Sequence, residues 1–369
     1  MPTDGTPLPV DHEPPKSATV AISVIVPARN AAKTLESCLD ALSSEGVPGR
    51  ATELIVVDDR STDETARIAT RPNIRLLTGE GRGPAAARNL GARHARGSIL
   101  VYLDADTAPR PGWLSEMIRP LDDPQVVAVK GRYETAQRSI VARFAQIEFE
   151  EKYDRLAKST EVDFVDTGTA AYRRTAFDAA HGFDESFPPS SAEDIDLSFR
   201  LAEHGDKLVF NPRAIVFHRH AESLIDYLRK KARYGYFRVR VYRRFPKKAL
   251  GDSYTPRTMP VQIALSGLSS LLMLRDLARM RFPDRLGLIV WGVLIATTAP
   301  LMLRALNRDR VLVPLIAPFV FLRSIAQGFG IFVGLVSHLA DRVWATDESA
   351  RSGMSSGAVA VSNDEMEIR

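Results

Sequence analysis

The sequence predicts an α/β fold: a mainly parallel central sheet flanked by helices, followed by a basic amphipathic helical region and C-terminal transmembrane helices. Three observations carry this expectation. Short apolar runs at 20–26, 53–57 and 100–103 stop at a proline or at acidic residues, and apolar residues recur at helical spacing between them. Residues 224–250 interleave lysine and arginine with aromatic side chains. Residues 286–303 carry no charge, and 311–340 form a second long apolar run interrupted by Arg323.

A chain of 369 residues has room for two or three units, one of them with a full core. Its 49 Lys+Arg against 45 Asp+Glu leave a modest formal charge of +4. The single cysteine, Cys38, excludes an intramolecular disulfide and a thiolate metal site. Set among Leu35, Leu39 and Leu42, it reads as a buried thiol on a helix rather than a nucleophile. Residues 1–18 are Pro-rich and polar, without the apolar run of a signal peptide, and are expected to form a flexible lead.

The first strand, 20–26, ends at Pro27, and Ala28, Arg29 and Asn30 form the loop at its carboxyl end. A helix over 31–43 places Leu35, Cys38, Leu39 and Leu42 on one face. The second strand stops at Asp58 and Asp59. Ser61 or Thr62 is placed to cap the helix that Glu64 opens, whereas Asp58 and Asp59 follow the strand at the edge where open sheets bind ligands. A third strand, 74–77, leads into Gly79, Gly81 and Gly83 and an alanine-rich helix start. Arg82 and Arg88 are positioned there to approach a phosphate or a carboxylate, with a surface charge as the alternative for Arg82. The glycine spacing matches neither a dinucleotide fingerprint behind the first strand nor a P-loop.

Four apolar residues then end in Asp104 and Asp106. Carboxylates without partners are costly in a core, so the pair either binds a divalent cation or caps a turn before Pro109 and Pro111. Residues 114–121 read as a short helix, 126–129 as a strand, and 138–158 as a longer helix with Ile140, Phe144, Ile147 and Tyr153 inward. Thr167, Gly168 and Thr169 are expected in a turn that follows a strand. Past a Pro/Ser loop, Glu193 opens a helix. The helix dipole favours Glu193, Asp194 and Asp196 in its first turn, and a carboxylate so placed also suits a general base. The runs 207–212 and 214–218 close the unit, with His218 at a strand end and His220 two residues on.

Together, Pro27-Ala28-Arg29-Asn30, the acidic run from Asp58 to Asp63, the segment from Gly83 to Gly91, Asp104-Ala105-Asp106 and Glu193-Asp194 resemble family 2 glycosyltransferases of the GT-A fold. The resemblance covers residues 20–220. It implies a nucleotide-diphosphate sugar, UDP- or GDP-linked, bound across the carboxyl ends of the sheet. It implies Asp59 on the base, Pro27, Ala28 and Arg29 along the nucleoside pocket, Arg88 bracing that pocket, and Asp104 at the ribose or the metal. Asp106 would bind Mg²⁺ or Mn²⁺ on the diphosphate, with His218 reaching the metal or the diphosphate. Gly168 and Thr169 would shape the acceptor or sugar pocket, and Asp194, with Glu193 beside it, would be the base. A plain glycine turn accounts equally for Gly168, and a structural histidine for His218. Independently of the family, breaking a sugar–diphosphate bond leaves charge on the departing phosphate, which a carboxylate-held hard cation stabilises.

The basic-aromatic stretch suits single-stranded nucleic acid or anionic membrane lipids. The apolar runs behind it decide for the membrane, with no nucleic-acid partner. The expected organisation is a lead (1–18), a catalytic domain (19–222), a juxtamembrane region (223–257), a membrane region (258–341) and a disordered tail (342–369). Segment 258–274 is expected to be interfacial or re-entrant, because spanning would place Arg279, Arg281 and Arg285 outside, against the positive-inside bias. Two spans at 286–303 and 311–340 follow, with three spans as the alternative. The expected protein is a multi-pass inner-membrane hexosyltransferase with its catalytic domain in the cytoplasm. It would add one sugar, with inversion, to a hydroxyl of a lipid-linked or envelope glycan acceptor. A transferase to polyprenyl phosphate and a nonenzymatic envelope scaffold are the alternatives.

Overall fold

The computed structural model describes residues 20–187, 192–253, 255–280 and 282–356, with the side chains of 250 and 339–356 outside the description. The expected lead (1–18), the Pro/Ser residues 188–191 and residues 357–369 of the expected tail lie outside the described residues. The chain divides into two units, Met1–Ala221 with Asp252–Thr255, and Glu222–Gly251 with Pro256–Arg369.

The first unit runs β1 (Ile22–Ala28), α1 (Leu35–Ser43), β2 (Thr52–Asp58), α2 (Thr65–Ala69), β3 (Ile74–Thr78), α3 (Pro84–His94), β4 (Ile99–Leu103), β5 (Thr107–Pro109) and α4 (Trp113–Ile118). It continues β6 (Val126–Glu134), α5 (Ile140–Leu156), β7 (Thr169–Arg173), α6 (Arg174–Ala179), α7 (Glu193–His204) and β8 (Lys207–His218). Among the described residues the strands form one eight-stranded sheet in the order β3-β2-β1-β4-β7-β6-β8-β5. The first four strands are parallel, and β6 is parallel to β8. β7 runs antiparallel to both β4 and β6, and β5 to β8, so the sheet is mixed, with four of its seven pairings parallel. Strands β1 and β4 are buried along nearly their whole length, which explains their unbroken apolar runs. Helix α1 turns Leu35, Cys38, Leu39 and Leu42 inward, as their spacing predicts.

Several boundaries differ from expectation for identifiable reasons. Strand β1 continues through Pro27, which lies past Ile25, the last residue paired with β4, where a strand tolerates a missing N–H. Ser61 and Thr62 do not cap α2. Ser61 Oγ accepts from Asn30 N and Thr62 N donates to Asn30 Oδ1, stitching the loops after β1 and β2, while Asp63 Oδ1 accepts from Thr65 N. Asp104 to Asp106 form a turn, closed by Thr107 N donating to Asp104 O at 3.0 Å, and Thr107–Pro109 follow it as edge strand β5. Strand β6 runs past Lys130, whose charge marks an end on paper but is fully buried against Asp166. The two runs around Asn211 and Pro212 are one strand, β8, and the pairing with β6 shifts register between Lys130 and Arg132. Ile140 is 42% exposed, while Phe144, Ile147 and Tyr153 point inward. The turn at 167–168 precedes a strand, β7, instead of following one.

The second unit comprises α8 (Leu224–Arg244), α9 (Thr258–Ala278), α10 (Arg285–Thr297), α11 (Ala299–Arg308) and α12 (Ile316–Ser356). Ser223 caps α8, its Oγ accepting from Asp226 N. Two stretches, Thr258–Ala278 and Arg310–His338, are long and apolar enough to cross a membrane. The segment expected to be interfacial is therefore an unbroken 21-residue helix. Its Pro260 falls in the first turn, where the lost N–H has no intrahelical partner. The expected span at 286–303 is instead broken at Thr298, with α10 and α11 bent by 52°. The hydroxyls of Thr297 and Thr298 donate back to the carbonyls of Leu294 and Ile295, and Pro300 opens the next helix. Helix α8 packs along α12, where a Cβ at Gly330 would lie 1.8 Å from Ala232 O, so only glycine admits the approach. Inside the unit Arg323 is buried and donates to Gln262 Oε1. Helix α12 is described to Ser356, past the position where the tail was expected to begin.

Candidate active site

The reversed direction of β7 builds the centre of the site. Leu103 at the end of β4 pairs with Thr169 at the start of β7, so Asp104 and Gly168 lie side by side and Asp104 N faces Gly168 O at 3.4 Å. A Cβ on Gly168 would stand 2.2 Å from Tyr133 Oη and 2.9 Å from Asp104 Oδ2, so this position must be glycine for the carboxylate to keep its place. Thr169 is a correction. It is fully buried and its hydroxyl accepts from Trp113 Nε1 at 2.9 Å, which makes it core rather than pocket lining.

Arg88 on α3 joins two distant elements. Its Nη2 donates to Asp104 Oδ1 at 2.8 Å and its Nη1 to Glu193 Oε1 at 3.1 Å. Burial works against the guanidinium's charge, but Asp104 and Glu193 outweigh it and hold its pKa above the ordinary value. Arg88 thus braces two carboxylates rather than the nucleoside pocket. Glu193, expected at the chemistry, is also corrected: it is buried and held by Arg88. Asp194 is the more open of the pair. Its Oδ1 accepts from Ile195 N at 2.8 Å, and burial, then the charges of Glu193 and Asp166, push its pKa up to about 7 against the pull of Arg88. Asp196, fully buried, pairs with Arg200, which in turn donates to the carbonyls of Ala180 and Gly182. Asp184 fixes the turn that follows it, accepting from Ser186 N at 2.9 Å.

The pairing of Thr107 with His218 brings the ends of β5 and β8 together. There His218 Nε2 lies 3.9 Å from Asp106 Oδ2, so the two expected metal ligands do meet. Among the described residues no group of three or more His, Cys, Asp or Glu surrounds a metal position. One carboxylate and one imidazole nonetheless fit Mn²⁺ or Mg²⁺ better than a thiophilic ion, and Asp106 is well exposed on its other side. Behind His218 stands His220, which sequence reasoning left out: their Nδ1 atoms are 3.2 Å apart, and His220 Nε2 is 2.9 Å from Gln146 Oε1. The H-x-H spacing was its only signal. Nearby Cys38 is buried, and burial followed by the charges of Asp106 and Asp104 pushes its thiol up to about 12, leaving it inert as expected.

Asp59 is buried, and its two oxygens accept from Gly81 N and Gly83 N, each at 2.8 Å. It therefore shapes the glycine loop after β3. Arg29 donates to Gly81 O at 3.1 Å and sits 3.9 Å from Asp59, which gathers Pro27, Ala28, Arg29 and this loop at one edge. Arg82 pairs with Glu185 at 3.0 Å and stays largely exposed. Sequence reasoning also missed Asp166, which accepts from Tyr133 Oη at 2.8 Å and pairs with buried Lys130. Three residues before Thr169, it carries no motif of its own.

A mixed α/β sheet with Asp59, Asp104, Asp106 and Asp194 along one edge, around a glycine loop, defines a sugar-transferase domain of the GT-A type. Residues 23–180 match the model of the family described as Glycosyl transferase family 2, and this part of the chain is a family 2 glycosyltransferase domain. The chain is similar to the pre-mycofactocin glycosyltransferase of Mycobacterium tuberculosis (strain H37Rv), 31% identical over 224 residues, 58% of this chain and 46% of the relative. It is 35% identical over 119 residues to glycosyltransferase AglE of Haloferax volcanii, 31% of this chain and 39% of the relative. It thus covers less than half the length of either curated relative. Its fold is shared with the mannosyltransferase PcManGT from Pyrobaculum calidifontis, solved with GDP-Man and Mn²⁺. That likeness has a TM-score of 0.54 at 22% identity and covers 88% of this chain and 90% of the other.

Proposed function

We propose that the chain moves one hexose from a UDP- or GDP-sugar to a hydroxyl of a lipid-linked or cell-envelope glycan, at the cytoplasmic face of the inner membrane. The observation that carries this reading is Asp194, a partly open carboxylate at the head of α7 with its pKa pushed up to about 7, beside a Glu193 that Arg88 ties to Asp104. A base whose pKa lies near the working pH is suited to take a hydroxyl proton during attack. The acceptor oxygen bonds to the anomeric carbon while the bond from that carbon to the diphosphate oxygen breaks with its electron pair. The hydroxyl proton passes to Asp194. Attack from the face opposite the leaving group inverts the anomeric configuration.

A divalent cation, Mg²⁺ or Mn²⁺, would be held by Asp106 and His218 and supplies charge compensation for the leaving diphosphate. The GDP-Man and Mn²⁺ of the Pyrobaculum structure support this class of donor and cation. Pro27, Ala28, Arg29 and the loop organised by Asp59 line the nucleoside side, Arg82 stands at its rim, and Gly168 borders the sugar. The two span-length helices and the basic-aromatic α8 support residence among anionic lipids.

The test uses purified full-length Asp194→Asn, with nucleotide-sugar affinity measured by calorimetry and turnover by nucleotide release. Affinity should stay near wild type while turnover on hydroxyl acceptors falls about 100-fold or more. Full turnover of the variant with polyprenyl phosphate, an acceptor already anionic, would replace this reading with transfer to that phosphate. Wild-type protein that releases no nucleotide with either acceptor would favour a scaffold.

A further inference from the structure

We propose that Asp166 accepts a hydrogen bond from a hydroxyl of the hexose being transferred, and so helps to select the sugar of the donor. The inference rests on the nucleotide-sugar reading above. It follows from where this carboxylate stands and from what its two oxygens leave unused.

Two parts of the site meet at Asp166. Its Oδ1 accepts from Tyr133 Oη at 2.8 Å. That phenol oxygen and Asp104 Oδ2 are the atoms a Cβ on Gly168 would strike, so the phenol held by Asp166 borders Gly168 and lies beside Asp104. From α7, Ser198 Oγ accepts from Val165 N at 3.0 Å and donates to Asp194 O at 2.7 Å. The residue before Asp166 is thereby fastened to the first turn of α7, and the charge of Asp166 is felt at Asp194. Attack with inversion puts the base and the departing diphosphate on opposite faces of the anomeric carbon. The hexose therefore lies along the stretch from Asp104 and Asp106 to Asp194, and Asp166 is next to both ends of it.

Neutralising Lys130 is the plain reason for an acid at this position. Lys130 is fully buried, its Nζ over the rings of Phe164, Tyr133 and Tyr153 at 5.5, 5.7 and 5.9 Å, and Asp166 supplies the counter-charge. That duty does not use the carboxylate up. A carboxylate paired with an ammonium only accepts, at about four sites. Among the described residues Lys130 and Tyr133 take two of them. The Asp166 side chain keeps 12% of its surface open, whereas that of Lys130 keeps none.

Both oxygens of Asp166 are thus held in place by donors from the core, with acceptor sites left over. What such a group binds must bring a proton. The diphosphate of the donor has none to offer and is repelled, while the hydroxyls of a hexose are donors. A site built to hydrogen-bond a hydroxyl rejects the analogue that lacks it, because the buried acceptor is then left unpaired.

The experiment measures donor affinity by calorimetry on the full-length protein with Mn²⁺ present. The probes are GDP-mannose and UDP-glucose, the singly deoxygenated forms of whichever the wild type binds, and GDP or UDP alone. Asp166→Asn should weaken the intact donor about 10–100-fold and leave the bare nucleotide unchanged. Removing one particular hydroxyl from the donor should cost the wild type as much and the variant little, since both changes delete the same contact. Asp166→Asn leaves Lys130 without its counter-charge, so Lys130→Met with Asp166→Asn, which removes both buried charges, carries the same comparison where the single variant does not fold. An equal loss for the bare nucleotide and for every deoxygenated donor would make Asp166 a partner of Lys130 alone and overturn the inference. Unchanged donor affinity would overturn it too, and a raised KM for the acceptor in that case would move the contact to the acceptor. Wild-type protein that binds neither donor would overturn the nucleotide-sugar reading and this inference with it.

Discussion

Arg88 Nη1 and Glu193 Oε1 are 3.1 Å apart across 105 residues of chain, and the same guanidinium reaches Asp104 at 2.8 Å. Helix α3, the end of β4 and the head of α7 are thereby fixed to one another. Breaking such a contact costs more than the contact contributes, because it leaves a buried carboxylate without its counter-charge.

Arg88→Met should accordingly destabilise the fold by about 3–5 kcal/mol, most of it through Glu193, since Asp104 is better solvated. Glu193→Gln keeps an acceptor for Arg88 and should cost far less. Urea or thermal unfolding of the two variants checks the order, and equal losses would deny Glu193 its holding role.

Gly168→Ala places a Cβ where Tyr133 Oη and Asp104 Oδ2 now stand. Overpacking of this kind costs about 1–3 kcal/mol. Because the side chain displaced is Asp104, donor affinity should fall as well. Calorimetry with the nucleotide sugar on a variant still folded by circular dichroism would show the loss. Unchanged affinity would remove Gly168 from the site.

Much of the first unit is legible in the sequence because its signals are local. Leu35, Cys38, Leu39 and Leu42 predict their own burial, and the apolar runs of β1, β2 and β4 predict central strands whose loops bear the polar residues. What stayed hidden depends on pairing across the chain. Lys130 reads as the end of a strand until Asp166, 36 residues later, neutralises it in the core. Glu193 and Asp194 look alike in sequence, and only Arg88 separates a held carboxylate from an open one. The direction of β7, which sets Gly168 against Asp104 and turns Thr169 towards Trp113, is invisible in a run of five residues. In the second unit, the basic residues after 258–274 argue on paper against a span, yet the helix there is long and apolar enough to cross a membrane, with Pro260 in its first turn. A break falls instead at Thr297 and Thr298, inside the run that carries no charge.

Asp106→Asn tests the cation from the protein side. The substitution removes one charge at an exposed strand end, so stability should change little. Turnover should fall by about 100-fold or more if the cation compensates the leaving group. Activity of the variant in chelator that matches untreated wild type would remove Asp106 from the metal site.

Attachment is tested by washing. With Thr258–Ala278 and Arg310–His338 both long and apolar enough to span, full-length protein should remain in the membrane fraction through salt and alkaline carbonate. Release as a detergent-free soluble monomer would defeat the two-span and three-span arrangements alike.

The raised pKa of Asp194 makes pH the sharpest test of the base. Its folded value of about 7 lies well above the ordinary 3.8. A carboxyl of this kind binds its proton more tightly in the folded protein, so it favours folding at low pH. It opposes folding increasingly as the pH rises from about 4 towards 7. Catalysis has the opposite need, since only the ionised form accepts a proton. Turnover should therefore rise through pH 7 and level off above it, with about a tenth of the base active one unit below. Asp194→Asn should lose both behaviours together. Its residual turnover should be flat across this range, and its melting temperature should gain on wild type as the pH is raised from 5 to 8. A wild-type profile with no acid limb near 7, paired with an Asn variant whose stability tracks wild type at every pH, would mean that Asp194 is an ordinary helix-end carboxylate. The base would then have to be sought elsewhere along the sheet edge.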